Sequence, residues 1–470
     1  MLFSSVIFIF KFLPLTLLVY FLIKQKNQLG NIFLLSVSLL FYAWGEPIYI
    51  LLMMLSIVVN FFFGILIHHT EEFKNRQKLV LAFGIAINVL FLIYFKYFGF
   101  IIENINDAFH LQLQVNAVAM PIGISFYTFQ SLSYLVDVYR KEVKAQFNII
   151  SIGLYISFFP QLIAGPIVRY IDINEQIEDR KIELKGFVNG IERFIIGLAK
   201  KVLIANTLGE VADKIFALPH SEITVLCSWL GIICYSFQLF FDFSGYSDMA
   251  IGLGRMFGFK FLENFNFPYA AKSIKDFWGR WHISLSTWFR DYLYIPLGGN
   301  RKGSRRTYLN LLIVFFITGL WHGSSWNFIV WGLFHGVFLI LERNRFGVWI
   351  EKLWKPIQHL YVLLVVLVGW VFFRQETLGG AVSYLNVMVG LTSIQNYPFD
   401  YFDFVNQKVL ICLAVAIIFS IQFPKIKWSD KYNASVAYKC LTAGVLICLL
   451  ILSIANIASN TYNPFIYFRF

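Results

Sequence analysis

Long apolar runs recur along the whole chain and are separated by short polar connections. A run of roughly 20 apolar residues is long enough for a helix to cross the hydrocarbon core of a bilayer. The runs predict about eleven to thirteen transmembrane or re-entrant helices, because the shorter ones must be tilted, paired or buried within a bundle. They lie at residues 2–23, 30–44, 47–67, 78–100, 118–136, 147–166, 186–205, 224–256, 308–322, 325–342, 357–373, 407–423 and 436–457.

Composition strengthens the prediction of a membrane protein. Of the 470 residues, 58% are hydrophobic and 14% are charged. A soluble domain carries roughly 25% charged residues, so this chain cannot cover a globule with solvated side chains, and lipid must contact most of its surface. With no internal repeat or low-complexity linker, residues 1–470 are interpreted as one polytopic membrane domain. The first apolar run is interpreted as a spanning helix because no small-residue cleavage site follows it.

The net charge of +12 does not indicate a nucleic-acid-binding protein. The basic residues lie in the connections between apolar runs, where the positive-inside rule expects them on a cytoplasmic face. The five cysteines show neither the spacing of a zinc site nor a disulfide framework. These observations predict a multi-pass membrane protein that holds no metal.

Residues 260–306 are too polar to span a membrane, yet they are dense in aromatic and basic side chains. This mixture predicts interfacial or re-entrant helices, and non-helical backbone at membrane depth implies a wet cavity. Arg280 and Arg290 are candidates for pairing with phosphate, while His282 and Ser286 fall on one face of a predicted helix. The alternative is an interfacial helix anchored by Trp and Arg.

A second candidate is the segment Trp321-His322-Gly323-Ser324-Ser325-Trp326-Asn327, between two strongly apolar runs. Burying an ionisable residue in a membrane costs several kcal/mol, so such a residue is a functional candidate. A neutral imidazole can accept a proton from a hydroxyl nucleophile, which makes His322 a candidate base with Trp321 and Asn327 as substrate contacts. The alternative is a histidine that a neighbouring helix satisfies; His335 falls on a different helical face and is interpreted as packing.

Asp242 and Asp248 form a third candidate site within the run 224–256. Asp248 and Arg255 fall on one helical face two turns apart and could share a polar tunnel that contacts substrate. The alternative is polar contact between helices without a functional role.

Several motifs in order resemble the membrane-bound O-acyltransferase family, specifically its bacterial alginate O-acetyltransferase subgroup. The resemblance covers nearly the whole chain, most strongly residues 120–345, and the end of the chain, 463–470, is also typical of the subgroup. The motifs are Pro-Ile-Gly-Ile-Ser-Phe-Tyr-Thr-Phe-Gln (121–130), Phe-Pro-Gln-Leu-Ile-Ala-Gly-Pro-Ile (159–167), Phe-Asp-Phe-Ser-Gly-Tyr-Ser-Asp (241–248), Arg-Trp-His-Ile-Ser-Leu-Ser (280–286) and Gly-Leu-Trp-His-Gly (319–323).

The resemblance implies an all-α ring of transmembrane helices around a central tunnel, in a multi-pass protein of a bacterial cytoplasmic (inner) membrane. It implies that His322 is the catalytic histidine and that His282 assists it by orienting a thioester or by hydrogen-bonding an oxyanion. It further implies that acetyl groups pass from cytoplasmic acetyl-CoA, docked at residues 272–306, to an extracytoplasmic SGNH-type acetyltransferase partner and finally a polysaccharide. Whether His322 acts as a base or carries the acetyl group stays open.

Three alternatives remain at this point. Peptidoglycan O-acetylation would share the donor and the membrane step. Teichoic-acid D-alanylation would use a phosphopantetheine carrier protein, although the run 294–303 favours the alginate-type subgroup. A transporter without acyl chemistry would line its path with the same polar residues, but no inverted repeat supports it.

Overall fold

The structure is a computed structural model that describes residues 1–23, 27–114, 118–163, 165–392, 399–421, 436–459 and 462–464. The chain forms two compact units, one of residues 1–194 and 247–263 and the other of residues 195–246 and 264–470. Ala164 and residues 465–470, which belong to two of the motifs above, lie outside the described residues.

Helices make up the secondary structure of the described residues, as the apolar runs predict, and one isolated bridge joins Ile223 to Phe399. The α-helices are α1 Leu13–Ile23, α2 Asn27–Gly45, α3 Ile50–His69, α4 Lys74–Leu92, α5 Phe98–Phe109, α6 Ile124–Tyr139, α7 Ile149–Ser157, α8 Phe159–Leu162, α9 Tyr170–Glu178, α10 Leu184–Ala199, α11 Asn206–Phe216, α12 Val225–Met256, α13 Ile274–Arg280, α14 Ile283–Phe289, α15 Gly303–His322, α16 Trp326–Glu342, α17 Arg345–Lys352, α18 Lys355–Arg374, α19 Leu378–Met388, α20 Gln407–Ser420 and α21 Val436–Ser459. Wider π-helical turns occupy Phe8–Phe12, Ile93–Tyr97, Lys200–Ala205 and Arg290–Tyr294.

Within the described ranges, six helical stretches are long and apolar enough to cross a membrane. They are α2, α3, Lys74–Phe109, α12, α18 and α21. Large apolar side chains such as Leu40, Leu51 and Leu441 are exposed on them, which is stable against lipid and costly against water. The predicted class, an all-α integral membrane protein, is confirmed.

The boundaries of several predicted helices differ from the structure for local reasons. The run 118–136 becomes helical only at Ile124, because Gly123 adopts a left-handed backbone conformation with φ of 78°. The run 147–166 is broken after α7, where Phe158 leaves the helical conformation and Pro160 opens α8. The short helix α19 was not among the predicted runs.

Helices α15 and α16 of the second unit pack closely against each other. Glycine permits this approach, because a Cβ atom at Gly319 would overlap the Phe328 carbonyl oxygen and one at Gly332 would overlap the Phe315 carbonyl oxygen. At the connection, a Cβ atom on Gly323 would overlap the Phe328 ring. The glycines therefore fix a tight helical hairpin with His322 at its bend.

Candidate active site

His322 is the last residue of α15 and lies in an aromatic enclosure, where it is 3% exposed. The centroid of its ring lies 4.8 Å from that of Trp321, 4.9 Å from that of Trp331 and 5.2 Å from that of Phe373. These residues come from α15, α16 and α18, so three helices position the imidazole. The rings exclude bulk water, which strengthens the effect of each neighbouring charge or dipole on chemistry at the imidazole.

His282 lies beside the same enclosure and is fully buried. The centroid of its ring lies 4.6 Å from that of Phe243 on α12 and 6.1 Å from that of Trp321. Trp321 therefore contacts both histidine rings, His282 and His322. The structure brings together these three predicted residues within the second unit.

Asn264 determines which nitrogen of His282 carries the hydrogen. Its Oδ1 atom accepts the Ser284 backbone N–H at 3.2 Å and lies 3.1 Å from His282 Nδ1. Because this oxygen can only accept, Nδ1 is the donor and Nε2 keeps its lone pair. Burial lowers the pKa of His282 to about 3, so the ring is neutral at physiological pH. Its Nε2 atom is therefore suited to accept a hydrogen bond and not to donate one to an oxyanion.

The predicted grouping of His282 with Ser286 on one helical face is wrong. His282 precedes α14 with a left-handed backbone (φ 44°, ψ 56°), and Ile283 N–H donates to the Asn264 carbonyl at 2.9 Å. The hydrogen bonds to Asn264 hold the chain in this conformation. His282 consequently turns into the interior, whereas Ser286 lines a separate cavity.

That cavity, which we call the donor cavity, has a volume of about 540 Å³ and lies entirely in the second unit. Its wall is apolar at Leu285, Phe315 and Trp278, and it includes Thr318, one helical turn before His322. Charged and polar side chains at its lining are Lys275, Arg290, Arg343, Glu342, Glu351, Ser273, Ser286, Tyr294 and Asn300. The cavity can therefore hold a ligand that has both apolar and charged parts.

The two arginines of the polar segment differ in position. Arg290 lines the donor cavity and its Nε atom lies 2.7 Å from the Asp291 carboxylate. Arg280 is not among the lining residues; its Nε atom donates to Asp276 at 2.7 Å. Sequence reasoning missed Arg343, which joins Arg290 at the cavity from a position 53 residues further along the chain. In the sequence, the only feature that points to Arg343 is its position directly after the apolar run that forms α16.

Glu342 was also missed, although it shapes the cavity. Its carboxylate oxygens accept the backbone N–H groups of Ile274 at 2.6 Å and Lys275 at 3.0 Å. A carboxylate at the first turn of a helix satisfies unpaired donors and complements the helix dipole. Glu342 thereby holds the start of α13, the helix that presents Trp278 to the cavity.

The remaining predicted residues make specific polar contacts. Asp242 pairs with Lys201 at 2.8 Å in the second unit, and both side chains are 2% exposed. Asp248 pairs with Arg193 at 2.7 Å in the first unit. Asn327 donates through Nδ2 to the Gln375 carbonyl at 2.5 Å, which ties the start of α16 to the end of α18. The structure gives each of these side chains a structural partner; their predicted substrate contacts stay predictions.

Fold and site together define a multi-pass α-helical membrane protein with two buried histidines near a charged cavity. The chain belongs to the membrane-bound O-acyltransferase family, whose family model matches residues 89–354. It is accordingly an acyltransferase, in agreement with the resemblance seen in the motifs.

Curated relatives extend the match over the full chain. The chain is 38% identical to a probable alginate O-acetylase, AlgI, of Azotobacter vinelandii, with 100% of both chains covered. It is 39% identical to the protein of the same description from Pseudomonas putida, again over 100% of both. It is also 38% identical to a peptidoglycan O-acetyltransferase of Helicobacter pylori, over 84% of this chain and 81% of the relative.

Proposed function

We propose that this protein transfers acetyl groups from cytoplasmic acetyl-CoA, across the bilayer, towards the hydroxyl groups of an extracytoplasmic polysaccharide. The observation that carries the proposal is the position of His322, buried in aromatic rings one helical turn beyond the residue Thr318 that lines the donor cavity. The curated relatives support an acetyl group as cargo and a cell-envelope polymer as acceptor.

The donor cavity matches the chemistry of CoA. Lys275, Arg290 and Arg343 offer cations to the phosphates, and guanidinium groups pair with phosphate through two parallel hydrogen bonds. The apolar wall accommodates the pantetheine arm and directs the thioester towards α15. The basic residues around this cavity support a cytoplasmic position for it, because the positive-inside rule favours Lys and Arg on that side of the membrane.

In the proposed reaction, the acceptor oxygen attacks the acetyl carbonyl carbon while its proton moves to the His322 imidazole. The carbon–sulfur bond then breaks, and the CoA thiolate leaves and takes up the proton from His322. The new carbon–oxygen bond completes the ester. His282, with its Nε2 lone pair, assists by accepting a hydrogen bond from an N–H or O–H group of a substrate, which orients that substrate; of the two roles that the resemblance implies, this one corresponds to orientation and not to contact with an oxyanion.

The decisive test is His322→Ala in the full-length protein, reconstituted with radiolabelled acetyl-CoA. We expect acetyl transfer and thioester cleavage to fall at least 100-fold, the lower range for loss of a general acid–base residue, while membrane insertion is unchanged. His68→Ala, on the exposed end of α3, is the matched control. Substantial transfer by His322→Ala would disprove the assignment, and wild-type protein without thioester cleavage would favour a transporter.

Peptidoglycan is the second candidate acceptor, because the Helicobacter pylori relative that carries this description matches more than four-fifths of the chain. In either case we propose that an SGNH-type acetyltransferase outside the membrane completes the delivery. Acetylated polymer should then disappear from cells that lack either protein, whereas His322-dependent thioester cleavage in vitro should not require the partner.

A further inference from the structure

Acyl transfer at His322 needs a hydrogen-bond donor for the carbonyl oxygen of the thioester. When an acceptor oxygen attacks the carbonyl carbon, the electron pair of the C=O bond moves to the carbonyl oxygen, which becomes negative. Donors already in place where this charge develops are a large source of rate acceleration. Because Nε2 of His282 keeps its lone pair and accepts hydrogen bonds, the donor has to come from another side chain.

Trp331 on α16 carries a buried N–H group beside His322. The residue is 1% exposed, and the centroid of its ring lies 4.9 Å from that of the imidazole. Its Nε1 atom is buried and has no hydrogen-bond partner among the residues that the structure describes. A donor that stays buried and unpaired destabilises a fold, so its retention at this position is explained if a ligand supplies the acceptor.

Trp331 also links His322 to the wall of the donor cavity. The centroid of its ring lies 5.8 Å from that of Trp278, which lines the cavity, and 5.4 Å from that of His335. The ring centroids of Trp278 and His335 are 5.2 Å apart. The three rings therefore form one cluster, and within it Trp331 contacts both the cavity wall and His322.

This cluster is rich in hydrogen-bonding atoms that the fold leaves unpaired. Nε1 of Trp278, Nε1 of Trp331 and both ring nitrogens of His335 are buried, and none of them bonds to another described residue. By contrast, Trp229 of the same unit donates its Nε1 hydrogen to a backbone carbonyl at 3.0 Å. Unpaired nitrogens at one place, between the donor cavity and a reactive imidazole, indicate that a polar atom of the substrate binds there.

We propose that the Nε1–H group of Trp331 donates a hydrogen bond to the thioester carbonyl oxygen as that oxygen becomes negative during acyl transfer. The inference rests on the proposed function for the chemistry at His322. The acceptor oxygen bonds to the carbonyl carbon, its proton moves to the imidazole, and the C=O electron pair moves onto the oxygen that Trp331 contacts. This pair then re-forms the C=O bond as the carbon–sulfur bond breaks, and the CoA thiolate takes the proton from His322. The indole stays neutral and keeps its hydrogen throughout.

The test removes the N–H group of Trp331 and keeps an aromatic ring. Loss of one oxyanion donor costs roughly 10²–10³ in kcat, so Trp331→Phe should lower kcat for acetyl-CoA cleavage about 100-fold. The KM should change less than about twofold, because the hydrogen bond becomes strong only in the transition state. The measurement is thioester cleavage by the full-length protein in detergent over a range of acetyl-CoA concentrations.

A second substitution separates the N–H group from the shape of the ring. Trp331→benzothienylalanine replaces the N–H by sulfur in a ring of nearly the same size and should lower kcat as much as Trp331→Phe does. Trp229→Phe is the matched control, since it removes an indole N–H that a backbone carbonyl pairs with, and it should leave kcat unchanged. S-ethyl-CoA, a thioether without the carbonyl oxygen, should bind equally to wild-type protein and to Trp331→Phe.

Wild-type kcat in the benzothienylalanine variant would overturn the proposal, because the N–H group would then be dispensable. Weaker binding of S-ethyl-CoA by Trp331→Phe would also overturn it, since the indole would then shape the donor site and not contact the carbonyl oxygen. Loss of cleavage in His322→Ala with full cleavage in both Trp331 variants would retain the acetyltransferase and reject the oxyanion contact. Wild-type protein that cleaves no thioester would reject both.

Discussion

The sequence identifies both His322 and His282 as candidate residues, but it predicts the environment of His322 only. Burying an imidazole between two apolar runs costs free energy, so His322 is identifiable as a functional candidate from the local sequence. The environment of His282 depends on Asn264 and Phe243, which are distant along the chain and become neighbours only through folding. The tautomer, and with it the role of His282, could therefore not be predicted.

The neutral state of His282 makes the folded protein less stable at low pH. An unfolded histidine titrates near 6.5, whereas the pKa of His282 is lowered to about 3 by burial, so the unfolded chain binds more protons between these values. Its contribution to stability is complete above pH 6.5 and is lost as the pH falls towards 3. From pH 7.5 to 5.5 the loss is about 1.4 kcal/mol.

His282→Gln should remove this part of the pH dependence. The measurement is thermal unfolding in detergent at both pH values, with wild-type protein as the reference. Because all other histidines are shared, parallel pH profiles for the two proteins would contradict the buried, neutral state of His282.

The pair Lys201–Asp242 gives a second prediction for individual residues. Both side chains are 2% exposed, and Lys201 also contacts the Pro464 carbonyl. Lys201→Met leaves a buried carboxylate without this cation and should cost about 3–5 kcal/mol. The double variant Lys201→Met/Asp242→Leu should recover most of that loss in thermal unfolding. If it also recovers acetyl transfer, Asp242 is structural; recovery of stability without activity would support its predicted role in substrate binding.

Helix positions were more predictable than helix ends. The runs 308–322 and 325–342 anticipated α15 and α16 closely, because Gly323, Ser324 and Ser325 interrupt the apolar pattern. Helix α19 was missed since it is only 11 residues long and contains two glycines, which weaken any helical signal. The donor cavity was predicted only as a cavity, because its lining combines side chains from several helices and loops.

The tight packing of α15 against α16 predicts that alanine substitutions at two glycines of α16 have different effects on stability. Gly332→Ala would push a Cβ atom into the Phe315 carbonyl and force the helices apart, at a cost of roughly 1–3 kcal/mol. Gly336→Ala, one turn later, meets the Phe315 side chain at 3.2 Å and should be tolerated better. The unfolding temperature and the rate of acetyl transfer should both fall for the Gly332→Ala variant. Equal effects would show that the close crossing does not position His322.

At the scale of the whole molecule, composition and loop charge predicted a multi-pass membrane protein, and this is confirmed. What composition could not predict is how charge is distributed within the second unit. Lys275, Arg290 and Arg343 line the donor cavity together with Glu342 and Glu351, and these residues come from separate parts of the chain.

This distribution predicts that salt weakens donor binding selectively. Raising ionic strength shortens the screening length from about 10 Å at 0.1 M to about 3 Å at 1 M, so attraction between cavity cations and CoA phosphates declines. The KM for acetyl-CoA should increase several-fold over this range. Acetyl-pantetheine, which lacks phosphates, is the internal control and should change little. A matching increase for both donors would argue against phosphate recognition at Lys275 and Arg290.

The hairpin that carries His322 also bears on how the protein is made. Gly319 and Gly332 lie close in sequence, so the crossing between α15 and α16 involves only local chain closure. Contacts of this kind form early in folding, before segments distant along the chain have to meet. The hairpin can therefore assemble in the bilayer as soon as both helices have left the ribosome, whereas the ring of Phe373 completes the histidine's enclosure only after α18 has been synthesised.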